Sequence, residues 1–298
     1  MSRTAIVGLG EVLWDVFPTG ARFGGAPANF ACHIAALGGH ALMVSAVGRD
    51  DLGRRALADF AQHGVDAQHV TTNEQPTAQV LVQLDSQGHA SYEFPADTAW
   101  DHLAWSEPLE RLAAQTSTVC FGTLAQRSQT SQDTIRKFVR GTPDDCLRIL
   151  DVNLRTPYWN ETLILESLAL ANVLKLNDDE LTILSDMLAI SGNERQRLQQ
   201  ILDRFSLELV ALTRGVKGSV LLSKSDEYSD LPGVATTVRD TVGAGDSFTA
   251  TLVMGLRKRL PLDSINAWAS RVAAYVCSQS GATPPLPDAL RRLTPVVD

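Results

Sequence analysis

The segment Asp240–Asp246 carries the most specific chemical signal in this chain of 298 residues. Its small residues Gly243, Ala244 and Gly245 precede a helical pattern, so their amides can approach a phosphate at a helix start, where the dipole favours negative charge. Asp246, in the first turn, would point into the same site. Amide donors beside a carboxylate base suit phosphoryl transfer to a hydroxyl group. A glycine turn with a helix-capping acid is the structural alternative, and these residues alone do not decide between the two.

A second glycine-rich stretch, Phe23–Asn29, precedes another helical stripe. Asn29 would lie in the first turn, where its amide could bond sugar hydroxyls. Gly24 and Gly25 would let a polyhydroxyl ligand lie against the backbone. A tight loop with a proline at the helix start explains the same residues, and taken alone that explanation is favoured.

Polar residues also follow two predicted strands. Glu11 and Asp15 come after the first strand, where an acid could bind hydroxyl groups. The stretch 151–155 alternates polar and apolar residues, so we expect Asn153 and Arg155 to share one face, within reach of a substrate or phosphate. Solvated loop acids and half-exposed strand residues are the structural alternatives.

Two further loops can be explained by local structure alone, and each also has a functional interpretation. Asn177 and Glu180 form a capping box, which is favoured over a place near Mg²⁺ and its waters. The loop from Thr213 through Gly215 to Gly218 could border a nucleotide, but it is equally a hairpin turn whose glycines take positive φ.

Composition and missing motifs exclude several classes of protein. The formal net charge is −8 and the basic residues are scattered, which argues against nucleic-acid binding. The sequence has no Walker A motif, no complete dinucleotide-binding fingerprint, no metal spacing among its six histidines and no Gly-x-Ser-x-Gly elbow. The four cysteines are widely separated, so reduced thiols in the cytoplasm are expected. No apolar stretch is long enough to span a bilayer.

Strand and helix patterns alternate along most of the chain, which predicts an α/β fold with a mainly parallel sheet covered on both faces. Ligands of such sheets bind beyond the carboxyl ends of the strands. The predicted strands are Ala5–Leu9, Ala41–Val47, Thr118–Phe121, Arg148–Val152, Asn172–Leu176 and Glu208–Thr213. The predicted helices include Pro27–Leu37, Leu52–His63, Ser131–Val139, Glu180–Leu188 and Glu194–Phe205.

One region departs from this alternation. Gln79–Leu84 and His89–Phe94 predict a hairpin with Gly88 in its turn. With Val16–Phe23 it would form a small antiparallel flap, either a lid over a reacting centre or an edge hairpin that completes the sheet. We expect a single domain, residues 1–298, with lid segments near 12–24 and 78–97.

In their order along the chain, these segments resemble the ribokinase-like (PfkB) family of carbohydrate kinases, and most of all its fructokinases. Gly24–Asn29 is similar to the N-terminal signature, and Asp240–Asp246 to the more specific C-terminal signature. Gly10–Pro18 and Phe121–Arg127 are typical of fructokinases. The resemblance implies a three-layer fold with a small β lid, and such lids often form a dimer interface.

The resemblance also implies roles for single residues. Asp246 is similar to the catalytic base, and the amides of residues 243–246 to the anion hole for the γ-phosphate of ATP. The implied sugar contacts are Asp15, Gly24, Gly25, Asn29 and Asn153, with Arg155 at the reacting groups. The implied nucleotide and Mg²⁺ positions are Asn177, Glu180, Thr213, Gly215, Gly218, Gly243 and Gly245.

Some family members bind K⁺ around Asp240 and the segment near Gly281. Here Pro284 and Pro285 stand where other members can carry a hydroxyl, which argues against activation by K⁺. The activity implied is transfer of a phosphoryl group from Mg²⁺-ATP to the 6-hydroxyl of D-fructose. A kinase for ribose, 2-keto-3-deoxygluconate or a nucleoside such as adenosine, and a catalytically silent sugar- or nucleotide-binding regulator, are the alternatives.

Overall fold

Apolar segments form the strands of the molecule, and amphipathic segments form its helices. The structure is a computed structural model that describes residues 4–17, 20–84 and 90–292. The strands in these ranges are β1 Ala5–Leu9, β2 Leu13–Phe17, β3 Gly20–Gly24, β4 His40–Gly48, β5 Asp66–Asn73, β6 Ala78–Leu84, β7 Ala90–Glu93, β8 Thr118–Phe121, β9 Leu147–Asp151, β10 Val173–Asn177, β11 Leu209–Thr213, β12 Ser219–Ser223 and β13 Tyr228–Leu231.

The α-helices alternate with these strands over most of the chain. They are α1 Ala26–Ala36, α2 Asp51–His63, α3 Glu107–Gln115, α4 Gln129–Arg140, α5 Glu161–Leu168, α6 Asp178–Leu188, α7 Glu194–Arg204, α8 Ala244–Arg257, α9 Leu262–Cys277 and α10 Asp288–Arg291. The predicted strands and helices are all present, with bounds that differ by two residues at most.

Nine of the described strands form the central sheet, in the order β13-β12-β11-β10-β9-β8-β1-β4-β5. The seven strands from β11 to β5 pair in parallel, while β12 and β13 add an antiparallel edge. The chain leaves β1 toward β4 on one side and later returns to β8 on the other. The strand order therefore reverses beside β1, and a crevice opens at the carboxyl ends of β1 and β8.

Two apolar cores lie on opposite faces of this sheet, which gives the three-layer α/β architecture expected from the sequence. One core takes its helical side chains from α1, α2, α8 and α9, with Phe30, Phe248 and Trp268 fully buried. The other takes them from α3 to α7, with Phe138 and Leu184 fully buried. Because α8 packs against both α1 and α9, the start of α8 is held rigidly at the crevice.

A separate four-stranded sheet, in the order β3-β2-β6-β7, corresponds to the predicted flap. Its two hairpins, β2 with β3 and β6 with β7, are antiparallel as expected. They are joined by a parallel pairing of β2 with β6, which the sequence pattern did not indicate. The predicted turn at Gly88 lies outside the described residues.

Candidate active site

Asp246 lies in the first turn of α8, at the floor of the crevice. Gly243 is the residue before the helix and adopts a left-handed backbone with φ of 78°. A Cβ at Gly243 would lie 2.3 Å from the carbonyl oxygen of Ala282, so a side chain there would force the two loops apart. The sharp entry into α8 therefore depends on glycine, and Gly245 and Asp246 in the first turn of the helix line the cavity there.

Asn29, in α1, holds the carboxylate of Asp246. Its Nδ2 donates a hydrogen bond to Oδ2 of Asp246 over 2.8 Å. The side chain is almost fully buried, and its Oδ1 has no hydrogen-bond partner among the described residues. The Nδ2 of this amide is therefore bonded to the aspartate, while its Oδ1 can accept a hydrogen bond from a ligand.

Burial raises the pKa of Asp246 to about 7, and the negative charge of Asp151 adds to the rise. The hydrogen bond from Asn29 and the positive charges of Lys175 and Arg155 lower the same pKa without cancelling the effect of burial. A carboxylate with a pKa near neutrality is a good proton acceptor, because its basicity matches the operating pH.

A cavity of about 360 Å³ opens above Asp246. It reaches from the small sheet to the start of α8, so groups that could bind a hydroxylated ligand surround the carboxylate. The structure brings most of the predicted site residues to this cavity, whose lining includes Asp15, Gly25, Asn29, Asn153, Arg155, Asn177, Thr213, Gly243, Gly245 and Asp246.

Asp15 lies on β2 of the small sheet and is 8% exposed. Burial raises its pKa to about 6, against the positive charges of Arg155 and Arg22. Gly24 does not line the cavity. It lies against Asp15 instead, since a Cβ there would be 2.6 Å from the carboxylate of Asp15. The absence of a side chain at Gly24 therefore leaves room for the carboxylate of Asp15.

A second cavity, of about 260 Å³, adjoins the first. Its lining is mainly apolar and includes Val216, Val238 and Ala274 together with Gly215, Gly218 and Ala244, three of the predicted nucleotide or phosphate positions. The two cavities share Thr213, Thr241 and Gly245. One cavity is polar and the other apolar, and they meet at the glycine next to Asp246. The apolar residues of the second cavity were not identified from the sequence, because they come from four distant segments.

Asn153 and Arg155 line the first cavity for a different reason than predicted. β9 ends at Asp151, and Asn153 has a φ of 38°, so strand alternation does not extend to these residues. Both residues nevertheless line the cavity. A positive φ outside glycine costs energy and is typical of functional positions.

Asn177 and Glu180 form the predicted capping box at the start of α6. Glu180 is 5% exposed, and its two carboxylate oxygens accept hydrogen bonds from the amides of Asn177 and Leu154. The described residues contain no group of three or more His, Cys, Asp or Glu side chains that could hold a metal ion. Asn177 and Glu180 therefore fit a divalent ion that is coordinated by phosphate oxygens and water, with the protein in contact with its hydration shell.

Asp240 precedes the amide cluster and joins three segments. Its carboxylate accepts hydrogen bonds from the backbone amides of Val242 and Gly281, each over 3.1 Å. It also pairs with Arg22 of β3, with 2.9 Å between Nη1 and Oδ2. The small sheet is thereby connected to the loop that leads into α8.

Lys175, Asp151 and Thr249 were not identified as candidate site residues from the sequence, whereas Glu11 was. Lys175 and Asp151 form a buried ion pair, with 3.0 Å between Nζ and Oδ1, and Thr249 of α8 donates to the other oxygen of Asp151. Glu11 is 3% exposed, and its Oε2 has no partner in the described part of the chain. Burial raises the pKa of Glu11. The sequence feature that could have indicated this ion pair is Lys175 itself, a charged residue inside the apolar run of β10.

The cysteines show no pairing among the described residues: all four are free thiols, and three are buried. Cys120 lies beneath the site, where burial raises the pKa of its thiol well above the usual value. In the ranges that the structure covers, no helix is both long enough and apolar enough to cross a membrane.

Known proteins resemble the chain over nearly its whole length. The family model described as pfkB family carbohydrate kinase matches residues 9–289. A protein named fructokinase from Salmonella typhimurium is 30% identical over 289 residues, which cover 92% of each chain.

Two solved structures share the fold. A fructokinase with bound ATP from Xylella fastidiosa has a TM-score of 0.84 at 21% identity, covering 96% of this chain and 95% of the other. A fructokinase from Vibrio cholerae O395, in a form with bound fructose, ADP and calcium ion, has a TM-score of 0.81 at 23% identity, covering 96% and 97%.

Proposed function

The chain belongs to the pfkB family of carbohydrate kinases, and from this premise we propose that it transfers the γ-phosphoryl group of ATP to the 6-hydroxyl of D-fructose. The observation that carries the proposal is the meeting of a polar and an apolar cavity at Gly245, next to Asp246, which lines the polar cavity. A sugar in the polar cavity and a nucleotide in the apolar one would meet at this carboxylate.

The reaction that this geometry supports is an in-line transfer. Asp246 accepts the proton of the acceptor hydroxyl while that oxygen attacks the γ-phosphorus, and the bond from phosphorus to the bridging oxygen of ADP breaks. The amides of residues 243–246 would hold the oxygens of the transferring group, at the positive end of the dipole of α8. Arg155, which lines the same cavity, would add positive charge.

The sugar would lie among the polar side chains around Asp246. Asp15 would accept hydrogen bonds from hydroxyl groups, and the free end of the Asn29 amide and Asn153 would bond others. Gly25 would let the sugar lie against the backbone. Because the fructokinase from Salmonella typhimurium is 30% identical over most of both chains, we propose fructose before other acceptors.

The nucleotide would place its base between Val216 and Ala274 and its phosphates along Thr213 and Gly245. Mg²⁺ would arrive with ATP and offset the charge of its phosphates. Asn177, and Glu180 behind it, would face the water molecules of that ion. A K⁺ ion near Asp240 is not needed for this proposal, since the carboxylate is already bonded to Arg22.

The experiment that tests the function is ADP release measured with a panel of acceptors: fructose, ribose, 2-keto-3-deoxygluconate and adenosine, with and without K⁺. We expect the highest kcat/KM with fructose and at most a small effect of K⁺. Higher kcat/KM with another acceptor would reject fructose and keep the kinase. No ADP release with any acceptor, while ATP still binds, would favour a silent regulator.

Two further expectations belong to the same proposal. The free cysteines fit a protein that works in the cytoplasm.

Leu81, on β6 of the small sheet, is 45% exposed, which fits a homodimer formed through the lid. Sedimentation of the protein and of a Leu81→Glu variant tests the second expectation: the variant should be monomeric, and identical profiles for the two would count against the lid as the interface.

A further inference from the structure

Lys175 brings a buried positive charge to the junction of the two cavities. It lies on β10, is 6% exposed and lines the polar cavity. Its Nζ donates a hydrogen bond to Oδ1 of Asp151 over 3.0 Å. An ammonium group has three donors, and Asp151 is its only hydrogen-bond acceptor among the described residues, so two donors are left for a ligand.

The ammonium group of Lys175 lies directly beside the amide cluster of α8. A Cβ built on Gly245 would be 2.9 Å from Nζ, closer than side-chain atoms normally approach. A side chain at residue 245 would thus force the ammonium group of Lys175 to shift. Glycine at this position therefore serves two purposes: it opens the amide to an anion, and it keeps the ammonium group next to that anion.

The charge of Lys175 is maintained in spite of its burial. Burial by itself favours the neutral amine, but the negative charges of Asp151, Glu180 and Asp246 outweigh it and raise the pKa of the lysine. A buried charge is costly unless it is paired, and the pairing with Asp151 offsets that cost. At neutral pH the group is an ammonium ion.

We propose that Lys175 is a further catalytic residue of the phosphoryl transfer, donating from its ammonium group to a terminal oxygen of the γ-phosphoryl group that the amides of α8 hold. The identity of this anion rests on the proposed function. Asp151 would be a positioning residue, since its two oxygens bond Lys175 and Thr249 and so fix the lysine against the second turn of α8.

A purely structural role for Lys175 is the competing explanation, in which the lysine only neutralises Asp151. The double variant Lys175→Met with Asp151→Asn separates the two explanations, because it removes both buried charges and keeps the volume. It also avoids the unpaired carboxylate of Lys175→Met alone, which is expected to be unstable. The reference is Asp151→Asn alone, in which the negative charges of Glu180 and Asp246 still stabilise the ammonium group. The matched control is Lys224→Met, an exposed lysine that pairs with Glu208.

With fructose as acceptor, we expect the double variant to have a kcat about 100-fold or more below that of Asp151→Asn, as for the loss of one oxyanion donor. Lys224→Met should match the unmodified protein. A double variant as active as Asp151→Asn would show that the lysine only neutralises the aspartate, and would overturn the inference.

A second measurement keeps this test independent of the acceptor. Calorimetric titration without sugar compares Mg²⁺-ATP with Mg²⁺-ADP, and the double variant should lose about 10-fold in affinity for ATP relative to Asp151→Asn, with little change for ADP. If the unmodified protein released no ADP with any acceptor, the proposed reaction would fail, and this titration alone would decide whether Lys175 binds the terminal phosphate. Equal losses of affinity for ATP and ADP, or no loss for either, would then refute the contact between Lys175 and the terminal phosphate.

Discussion

The side-chain amide of Asn29 donates a 2.8 Å hydrogen bond to the carboxylate of Asp246, which lies 217 residues further along the chain. The bond joins the first turn of α1 to the first turn of α8, and these two helices pack against each other in the same apolar core. The geometry of the proposed base therefore depends on a residue of the first glycine-rich stretch, which the sequence indicated only as a sugar contact.

Asn29→Ala should shift the pH dependence of turnover. The hydrogen bond from Asn29 lowers the pKa of Asp246, so its loss should move the rising limb of kcat to higher pH and reduce kcat at pH 7 by about 10-fold. The measurement is a kcat profile between pH 5 and 9. Asn193→Ala, which removes the cap of α7, is the control and should destabilise without moving the limb. An unshifted limb in Asn29→Ala would contradict the coupling.

Asp246→Asn should lose at least about 1,000-fold in kcat, because no carboxylate remains to accept the hydroxyl proton. Binding of ATP should be retained, as measured by calorimetry. Asp263→Asn is the matched control, since Asp263 also lies in the first turn of its helix, α9, and is exposed. Near-normal turnover in Asp246→Asn would remove the base from the mechanism.

The same substitution should not lower stability at pH 8. The folded-state pKa of Asp246, about 7, lies above that of an unfolded aspartate, so the ionised carboxylate destabilises the fold. This destabilisation is absent below about pH 4, grows as pH rises toward 7 and is fully present above it. Thermal unfolding at pH 5 and pH 8 tests the sign of this effect. The stability of the variant relative to that of the unmodified protein should be higher at pH 8 than at pH 5. A relative loss there would show that the ionised carboxylate is stabilising.

The unmodified protein should lose kcat/KM as pH falls through about 7, and lose it further through about 6. In the proposed mechanism Asp246 must be ionised to accept a proton, and Asp15 must be ionised to bind hydroxyl groups most strongly, while burial raises both pKa values. An acidic limb near pH 4, the range of ordinary carboxylates, would show that neither pKa is perturbed in solution.

Asp240→Ala should be more damaging than Arg22→Ala, although the two residues form one ion pair. Arg22 is partly exposed, so its loss should cost no more than about 1 kcal/mol of unfolding free energy. Loss of Asp240 also leaves the half-buried amides of Val242 and Gly281 without their acceptor, at a further cost for each of up to about 1 kcal/mol, below that of a fully buried donor. Denaturant unfolding and kcat of both variants check the order, and equal losses would show that the two amide bonds contribute little.

The sequence predicted the elements well because their signals are local. The apolar runs of the central strands and the small residues before Asp246 each depend on neighbours in the chain. The bond between Asn29 and Asp246, the apolar second cavity and the ion pair of Lys175 with Asp151 depend on distant segments meeting. Asn153 shows a third kind of limit: asparagine adopts a positive φ more readily than most residues, but the surrounding structure decides whether it does so.

Every described strand of the central sheet precedes α8 in the chain, since β13 ends at Leu231 and α8 begins at Ala244. During synthesis the sheet can therefore assemble before the carboxylate of Asp246 and its amide cluster have been made. At that stage the face of the sheet that α8 and α9 later cover is an open apolar surface. Over the same interval the nascent protein lacks the proposed base and exposes an apolar surface that favours aggregation, and the synthesis of one helix pair ends both conditions.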